Sequence, residues 1–134
     1  NQARESGVVM ASVGDGRVAS ASRIDYADAA VAVLTSDGHA GKIYELSGDV
    51  AWSFDDLATA IGAAIGRDVV YTPVSAEEQA AILKSAGLDD ATIVFVVAMD
   101  ANIRDGLLAE TSGDLSRLIG RPTIPLAEGL AAAL

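Results

Sequence analysis

Residues 53–74 have the sequence SFDDLATAIGAAIGRDVVYTPV, which predicts a helix followed by a strand. Ser53 and Asp56 match a capping box, in which each side chain bonds the other residue's backbone N–H. Apolar residues then recur at helical spacing up to Gly66, a residue type that commonly ends helices. The β-branched run that follows is typical of a strand, and Pro73 favours an edge or an end for it. Helix and strand together indicate an α/β fold.

The N-terminal part of the chain predicts two extended segments and a helix. A strand is predicted over residues 7–13, and the turn Gly14-Asp15-Gly16 closes it, because Asp-Gly is a strong tight-turn pair. We expect this turn to form a hairpin with a second extended segment over residues 17–23. Asp25 then predicts a helix cap, with Asp28 as its partner in a capping box. The apolar face predicted for this helix consists of Tyr26, Ala30, Val33 and Leu34.

Strand and helix signals continue to alternate downstream. A short strand is predicted over residues 42–46, and Ser75 with Glu78 predicts another capped helix. Residues 92–97 have strand propensity, yet Asp90 is a suitable cap for a helix here, so we favour the helix. The face predicted for that helix consists of Ile93, Val97 and Ala101. Two short helices are predicted near the C-terminal end, around Leu115 and after Pro125.

Composition excludes several functional classes. The 134 residues are 51% hydrophobic, which is enough for a single domain to bury a sizeable core. The absence of cysteine rules out disulfides and thiolate metal sites and favours a cytoplasmic location. The formal net charge of −10 repels phosphate backbones and anionic membrane surfaces, so we expect no nucleic acid or membrane partner. The longest apolar run, Ile93 to Met99, is too short to span a bilayer.

Three stretches occur together in an order that is characteristic of one family. They are GDGRVASASRIDYA at residues 14–27, GHAGKIYELSGD at residues 38–49, and LSRLIGRPT at residues 115–123. In this order and spacing the chain resembles the C-terminal half of the NmrA-like, atypical short-chain dehydrogenases. Among these, the bacterial NAD(P)H:quinone oxidoreductases related to triphenylmethane reductase are the most similar in pattern. The resemblance covers nearly the whole chain.

The resemblance implies the C-terminal part of a Rossmann-type NAD(P)-binding fold, with edge strands and a small helical substrate lobe. It implies that residues 1–134 form a single unit, from which the N-terminal nucleotide-binding half is absent. The function implied is the substrate-side half of an NAD(P)H-dependent oxidoreductase that transfers hydride to a quinone or a similar electrophile. NADP or NAD is the expected cofactor of the full-length protein. Two departures from the family pattern are Ile124, where a Thr is frequent, and the β-branched run over residues 93–97.

Two other functions stay open at this stage. NmrA itself resembles these enzymes but is a redox-inactive regulator that senses dinucleotides and binds a protein partner. A stand-alone interaction domain is the third alternative. The coding sequence upstream of Asn1 would test the stand-alone domain, because the enzyme and the regulator both require a nucleotide-binding half. NADPH oxidation with a simple quinone by the intact protein would separate the enzyme from the regulator.

No cofactor-binding, catalytic or metal-ligating residue is assigned in this chain. Gly14-Asp15-Gly16 begins a G-x-G-x-x-A match, but a dinucleotide fingerprint opens a helix directly, whereas an extended segment is predicted here. The Tyr-x-x-x-Lys pair of ordinary short-chain dehydrogenases is missing, since none of the three tyrosines has Lys four places on. Acidic pairs recur at predicted helix starts, where the positive end of the helix dipole attracts carboxylates, so we expect their role to be structural. These pairs are Asp55-Asp56, Glu77-Glu78 and Asp89-Asp90.

The candidate substrate-binding residues are Met10, Ser12, Ser20, Ser22 and Arg23. The resemblance places the segment that contains Ser20, Ser22 and Arg23 near the substrate, just before the first long helix. Met10 and Ser12 are candidates for the border of the same cleft, although a Met in a strand is more often part of the core. Arg23 is suited to hold an acceptor oxygen, although a surface ion pair with Asp25 or Asp28 is the interpretation we favour. Trp52 either packs against the helix that follows it, which we favour, or lines an opening. His39 has no partner in the sequence and no expected chemical role.

We expect the isolated chain to be catalytically inactive and to bind no cofactor. Its partners would be a small quinone-like molecule and the missing half, and apolar surface left exposed would make the isolated chain self-associate. NADPH should bind weakly or not at all, because no Gly-rich loop opening a helix is present to hold the pyrophosphate. Isothermal titration calorimetry measures this directly. Micromolar affinity for NADPH would contradict the prediction and make residues 14–16 a phosphate loop.

Overall fold

A computed structural model describes residues 2–133 and confirms an α/β arrangement. The helices are α1 (Gln2–Ser6), α2 (Arg23–Thr35), α3 (Phe54–Ile65), α4 (Ala76–Ser85), α5 (Asp90–Arg104), α6 (Asp114–Ile119) and α7 (Leu126–Ala133). The strands are β1 (Val8–Ala11), β2 (Arg17–Val18), β3 (Trp52–Ser53) and β4 (Val70–Pro73). None of these helices combines the length and the apolar character needed to cross a bilayer.

The helix and strand predicted from residues 53–74 are α3 and β4. The predicted capping box begins α3, since the Ser53 N–H donates to the Asp56 carboxylate at 2.8 Å and the Asp56 N–H donates to the Ser53 hydroxyl at 3.2 Å. Gly66 ends the helix with a φ of 71°, a left-handed conformation that favours glycine. The strand β4 pairs in parallel with β1 and ends at Pro73, which lacks the N–H needed to extend the ladder.

The turn at residues 14–16 is tight, but it does not close a hairpin. The Gly16 N–H donates to the Val13 carbonyl at 3.0 Å, as a tight turn requires. The hairpin prediction was wrong, because β2 pairs antiparallel with β3 and not with β1. The turn directs the chain away from the parallel sheet, and Gly16 lies against the backbone of α5. The next helix starts only at Arg23, so this G-x-G motif does not open a helix.

The start of α2 differs from the prediction. The cap is Ser22 and not Asp25, and Asp25 is its capping-box partner in place of Asp28. The predicted apolar face was also wrong: the residues of α2 that are buried are Asp25 and Ala29, while Tyr26, Ala30 and Leu34 are exposed. The three-residue spacing of a capping box fits both Ser22 with Asp25 and Asp25 with Asp28. Tertiary bonds to the Asp25 carboxylate decide between them, and they turn that side of α2 inward.

Residues 42–46 do not form the predicted strand. Their backbone bonds to side chains at the start of α6 and just before it: the Glu45 N–H donates to the Asp114 carboxylate at 3.0 Å, and the Glu45 carbonyl accepts the Ser112 hydroxyl. A strand requires a neighbouring strand to take up its alternating N–H and C=O groups. Among the described residues, no strand lies beside this segment.

The C-terminal helices agree with the sequence except at one cap. Residues 92–97 lie within α5, as predicted, although Asp89 and not Asp90 is the cap, accepting the Thr92 N–H at 3.0 Å. The β-branched run is accommodated because Ile93 is buried at one side of α5. Near the C-terminal end of α5, Ile103 is also buried and belongs to the core cluster between the helices and the parallel sheet. That cluster consists of Ala11, Val13 and Ile103, with Phe54, Tyr71, Met99 and Leu108 packed around it.

Two glycine substitutions should shift stability in opposite directions. A methyl group at Gly16 would lie 2.7 Å from the Ile103 carbonyl carbon, so Gly16→Ala should destabilise the protein by about 2 kcal/mol through overpacking. A methyl group at Gly129, inside α7, would lie 3.9 Å from its nearest neighbour. Gly129→Ala should therefore stabilise by up to about 1 kcal/mol through helix propensity. Urea denaturation measures both. Equal effects of the two substitutions would contradict the packing around the turn.

Candidate functional site

A cleft of about 550 Å³ opens between the start of α2 and the last helix. One wall is the segment from Ser20 to Ile24, and the other runs from Ile124 along α7. We call it the α2–α7 cleft. Its lining is mainly apolar, with Arg23 and Glu128 as the charged members among residues that include Ser20, Ser22, Trp52, Leu126 and Leu130. This volume lies within the usual range of small-molecule sites.

Trp52 both lines the cleft and contacts the helix that follows it, so the two alternatives predicted from the sequence occur together. Its indole N–H donates to the Ser20 hydroxyl oxygen at 3.0 Å, which fixes the ring next to the first wall. Its ring centroid lies 5.8 Å from that of Phe54, the first residue of α3. Because Trp52 pairs with Val18 in the β2–β3 ladder, its backbone is held as well as its side chain. The cleft therefore has a fixed aromatic side.

Asp25 bonds both walls of the cleft. Its side chain is fully buried, and it accepts the Ser22 hydroxyl at 2.9 Å on one wall and the Ile124 N–H at 3.0 Å on the other. Arg121 donates to Asp25 at 2.6 Å and to Asp28 at 2.6 Å. One buried carboxylate thus sets the distance between the start of α2 and the chain that enters α7.

The hydrogen bonds around Asp25 keep it ionised. Burial alone would raise its pKa, because a carboxylate is poorly solvated inside a protein. The Ile124 N–H, the Arg121 guanidinium and the Ser22 donors outweigh that effect and lower the pKa of Asp25 below its ordinary value. Hydrogen bonds to Asp28 and then to Asp25 raise the pKa of Arg121 in turn. The pair is therefore charged at neutral pH.

Arg23 pairs with neither Asp25 nor Asp28, so the ion pair favoured from the sequence was wrong. Asp25 and Asp28 are both bound by Arg121, an arginine that sequence reasoning did not single out. Within residues 2–133, Arg23 forms no ion pair and no side-chain hydrogen bond, and its side chain is exposed at the mouth of the cleft. Glu128 lies on the opposite wall without pairing with it.

The structure separates the five candidate residues into two groups. Ser20, Ser22 and Arg23 lie together along the α2–α7 cleft. Met10 and Ser12 do not line it: Met10 lies within β1, and Ser12 is buried with its N–H donating to Asp100 at 2.9 Å and to Gln79 at 3.1 Å. The sequence signal that would have found Asp25 is the Ser-x-x-Asp spacing from Ser22, which makes it a capping partner.

Other polar residues singled out from the sequence have structural roles. Asp56, Glu78 and Asp89 each belong to a helix cap, which confirms the interpretation of the acidic pairs. Among the described residues, no group of three or more acidic or histidine side chains converges on a metal position. His39 does have partners, contrary to expectation: its ring nitrogens lie 2.8 Å from the Ser36 hydroxyl and 2.7 Å from the Tyr44 hydroxyl.

Comparison with known proteins supports the resemblance seen in the sequence. Quinone oxidoreductase 2 of Escherichia coli is 44% identical over 128 residues, which cover 96% of this chain and 45% of that protein. The crystal structure of Citrobacter sp. triphenylmethane reductase complexed with NADP(H) matches with a TM-score of 0.93 and 37% identity, over 99% of this chain and 46% of the other. This chain is a homologue of the NmrA-like, NAD(P)-dependent reductases.

The homology covers the C-terminal part of these reductases, and the chain spans less than half of their length. The NADPH complex of E. coli quinone oxidoreductase 2 matches with a TM-score of 0.92 and 43% identity, over 98% of this chain and 46% of the other. An NAD(P)H azoreductase of Xenophilus azovorans is 29% identical over 93% of this chain and 44% of that protein. No protein-family model matches the chain. The fold is thus that of the C-terminal portion of Rossmann-like reductases.

Removing the charge of Asp25 should destabilise the protein in a pH-dependent way. Asp25→Asn leaves Arg121 without its buried partner and should lower the free energy of unfolding by about 3 kcal/mol. Asp28→Asn removes the half-exposed partner and should lower it by about 0.5 kcal/mol. Since the pKa of Asp25 is lower in the folded than in the unfolded state, its contribution is complete above about pH 4 and is lost as pH falls through the folded pKa.

Urea denaturation from pH 7 down to pH 3 measures both effects. The parent should lose more stability than Asp25→Asn over this range, because the variant has no carboxylate to protonate at that position. Parallel pH profiles for the parent and Asp25→Asn would show that Asp25 does not carry the ion pair.

Proposed function

We propose that this chain is the acceptor-binding half of an NAD(P)H-dependent oxidoreductase that transfers hydride to a quinone or a similar flat electrophile. The observation that carries the proposal is the match to E. coli quinone oxidoreductase 2 along almost the whole chain, at 44% identity. The α2–α7 cleft supports it, because an apolar cleft with one aromatic side and an arginine that pairs with none of the described residues suits a flat molecule with electron-rich oxygens.

We also propose that residues 1–134 act as one unit and that a separate nucleotide-binding half precedes them in the working protein. The chain spans 45% of its E. coli relative, and residues 14–16 do not open a helix on which a pyrophosphate is held. Large apolar side chains are exposed on α2 and α5, as expected for surfaces that another domain covers. They include Val31, Leu34, Val94 and Phe95.

The chemistry assigned to this half is binding and charge stabilisation. NADPH, when bound by the nucleotide half, supplies the hydride. Hydride addition to a quinone develops negative charge on the acceptor oxygen, and the Arg23 guanidinium, which forms no ion pair with a described carboxylate, is placed to stabilise that charge. Ser20 and Ser22 line the same wall, with Ser20 fixing Trp52 and Ser22 donating to Asp25. Their hydroxyls thus shape the wall of the acceptor site.

A fusion protein tests this function. The N-terminal part of E. coli quinone oxidoreductase 2 joined to this chain should oxidise NADPH in the presence of 1,4-naphthoquinone, and this chain alone should not. In the active fusion, Arg23→Ala should lower turnover by about tenfold, which corresponds to roughly 1.4 kcal/mol of barrier, and Arg23→Lys should retain part of the activity. Quinone turnover by the chain alone, or a well-folded fusion that binds NADPH but reduces no quinone, would contradict the proposed function.

A further inference from the structure

The α2–α7 cleft brings together an indole ring and a guanidinium group that forms no ion pair with any described residue. Trp52 is held by Ser20, while Arg23 forms no ion pair within the described part of the chain. Most other arginines are engaged: Arg121 binds two carboxylates, and Arg17 binds Asp56 at 3.6 Å. A cation left without a counter-ion in a chain of net charge −10 is available for an anion from outside.

The remaining lining favours a ring over a flexible polar ligand. Opposite Arg23, the cleft is bounded by Ile124, Pro125 and the apolar side chains of α7. Burying a flat hydrocarbon face against such a surface is favourable. The surface offers few hydrogen-bond groups to a sugar or a peptide. Among the described residues that line the α7 side, Glu128 is the charged one, and it opposes anions. Any anionic group should therefore point towards Arg23 and away from α7.

We propose that the α2–α7 cleft selects flat aromatic compounds that carry a negatively charged substituent, with Trp52 against the ring and Arg23 against the anionic group. This inference rests on the proposed function, since it takes the cleft as the acceptor site and narrows the acceptor class. The net charge of −10 opposes anion binding to the chain as a whole. A preference for the anionic ligand over its neutral analogue would thus report on the local cation.

Trp52 fluorescence provides a binding assay that needs no nucleotide and no turnover. It is the only tryptophan of the chain, and it lines the cleft, so its emission reports on occupancy. The probes are 1,4-naphthoquinone, which is neutral, and 2-hydroxy-1,4-naphthoquinone, which has the same ring system and is anionic at neutral pH. The chain contains no cysteine, so covalent thiol adducts with these quinones do not arise.

Both probes should quench Trp52 saturably, and the anionic probe should bind about tenfold more tightly, as expected for one charge-assisted contact. Arg23→Ala should abolish this difference, and Arg23→Lys should keep part of it. Lys42→Ala is the matched control, because Lys42 is an exposed cation outside the cleft and its removal changes the net charge equally. Glu128→Gln should tighten binding of the anionic probe and leave the neutral probe unchanged.

Three results would overturn the inference. The first is equal affinity for the two probes, or tighter binding of the neutral one, which leaves quinone binding and the proposed function intact. The second is an equal loss of preference in Arg23→Ala and Lys42→Ala, which assigns the effect to overall charge. The third is no saturable quenching by either probe. NADPH-dependent quinone reduction by the fusion protein is measured separately, so failure of this inference is distinguishable from failure of the proposed function.

Discussion

The buried carboxylate of Asp25 is the constraint on which the packing of α2, α6 and α7 depends. It completes the cap of α2 with Ser22, binds Arg121, and accepts the Ile124 N–H ahead of α7. A fully buried charge is tolerated only when its oxygens are satisfied and paired. These bonds come from two parts of the chain, the start of α2 and the connection between α6 and α7. The ion pair therefore favours one arrangement of α2, α6 and α7 over looser alternatives.

The same arrangement explains the electrostatics of the cleft. By occupying both Asp25 and Asp28, Arg121 leaves Arg23 without a counter-ion among the described residues. Asp25, which forms a structural ion pair, and Arg23, which forms none there, thus lie close together in sequence and have different roles. Trp52 completes this side of the cleft through its bond to Ser20, so packing of the β2–β3 ladder is linked to the shape of the site.

Structural features that depend only on residues close in sequence were predicted well. The capping boxes at Ser53 and Ser75 were correct because the bonding groups are three residues apart and need no distant partner. The strand expected at residues 42–46 was wrong, since a strand exists only beside another strand. The hairpin at residues 14–16 failed for a related reason: the turn was correct, but the partner of β2 is β3, far along the chain.

By itself, the sequence determined the α/β class, the long capped helices and the homology to the reductases, because periodicity, capping pairs and motif order are all local or linear properties. Only the tertiary structure decided which face of α2 is buried, which arginine binds Asp25, and that Arg23 and Trp52 share a cleft. Arg121 lies far from Asp25 along the chain, and spacing carries no information about such pairs. Folding brings them together because a buried carboxylate must find its counter-ion wherever the chain supplies one.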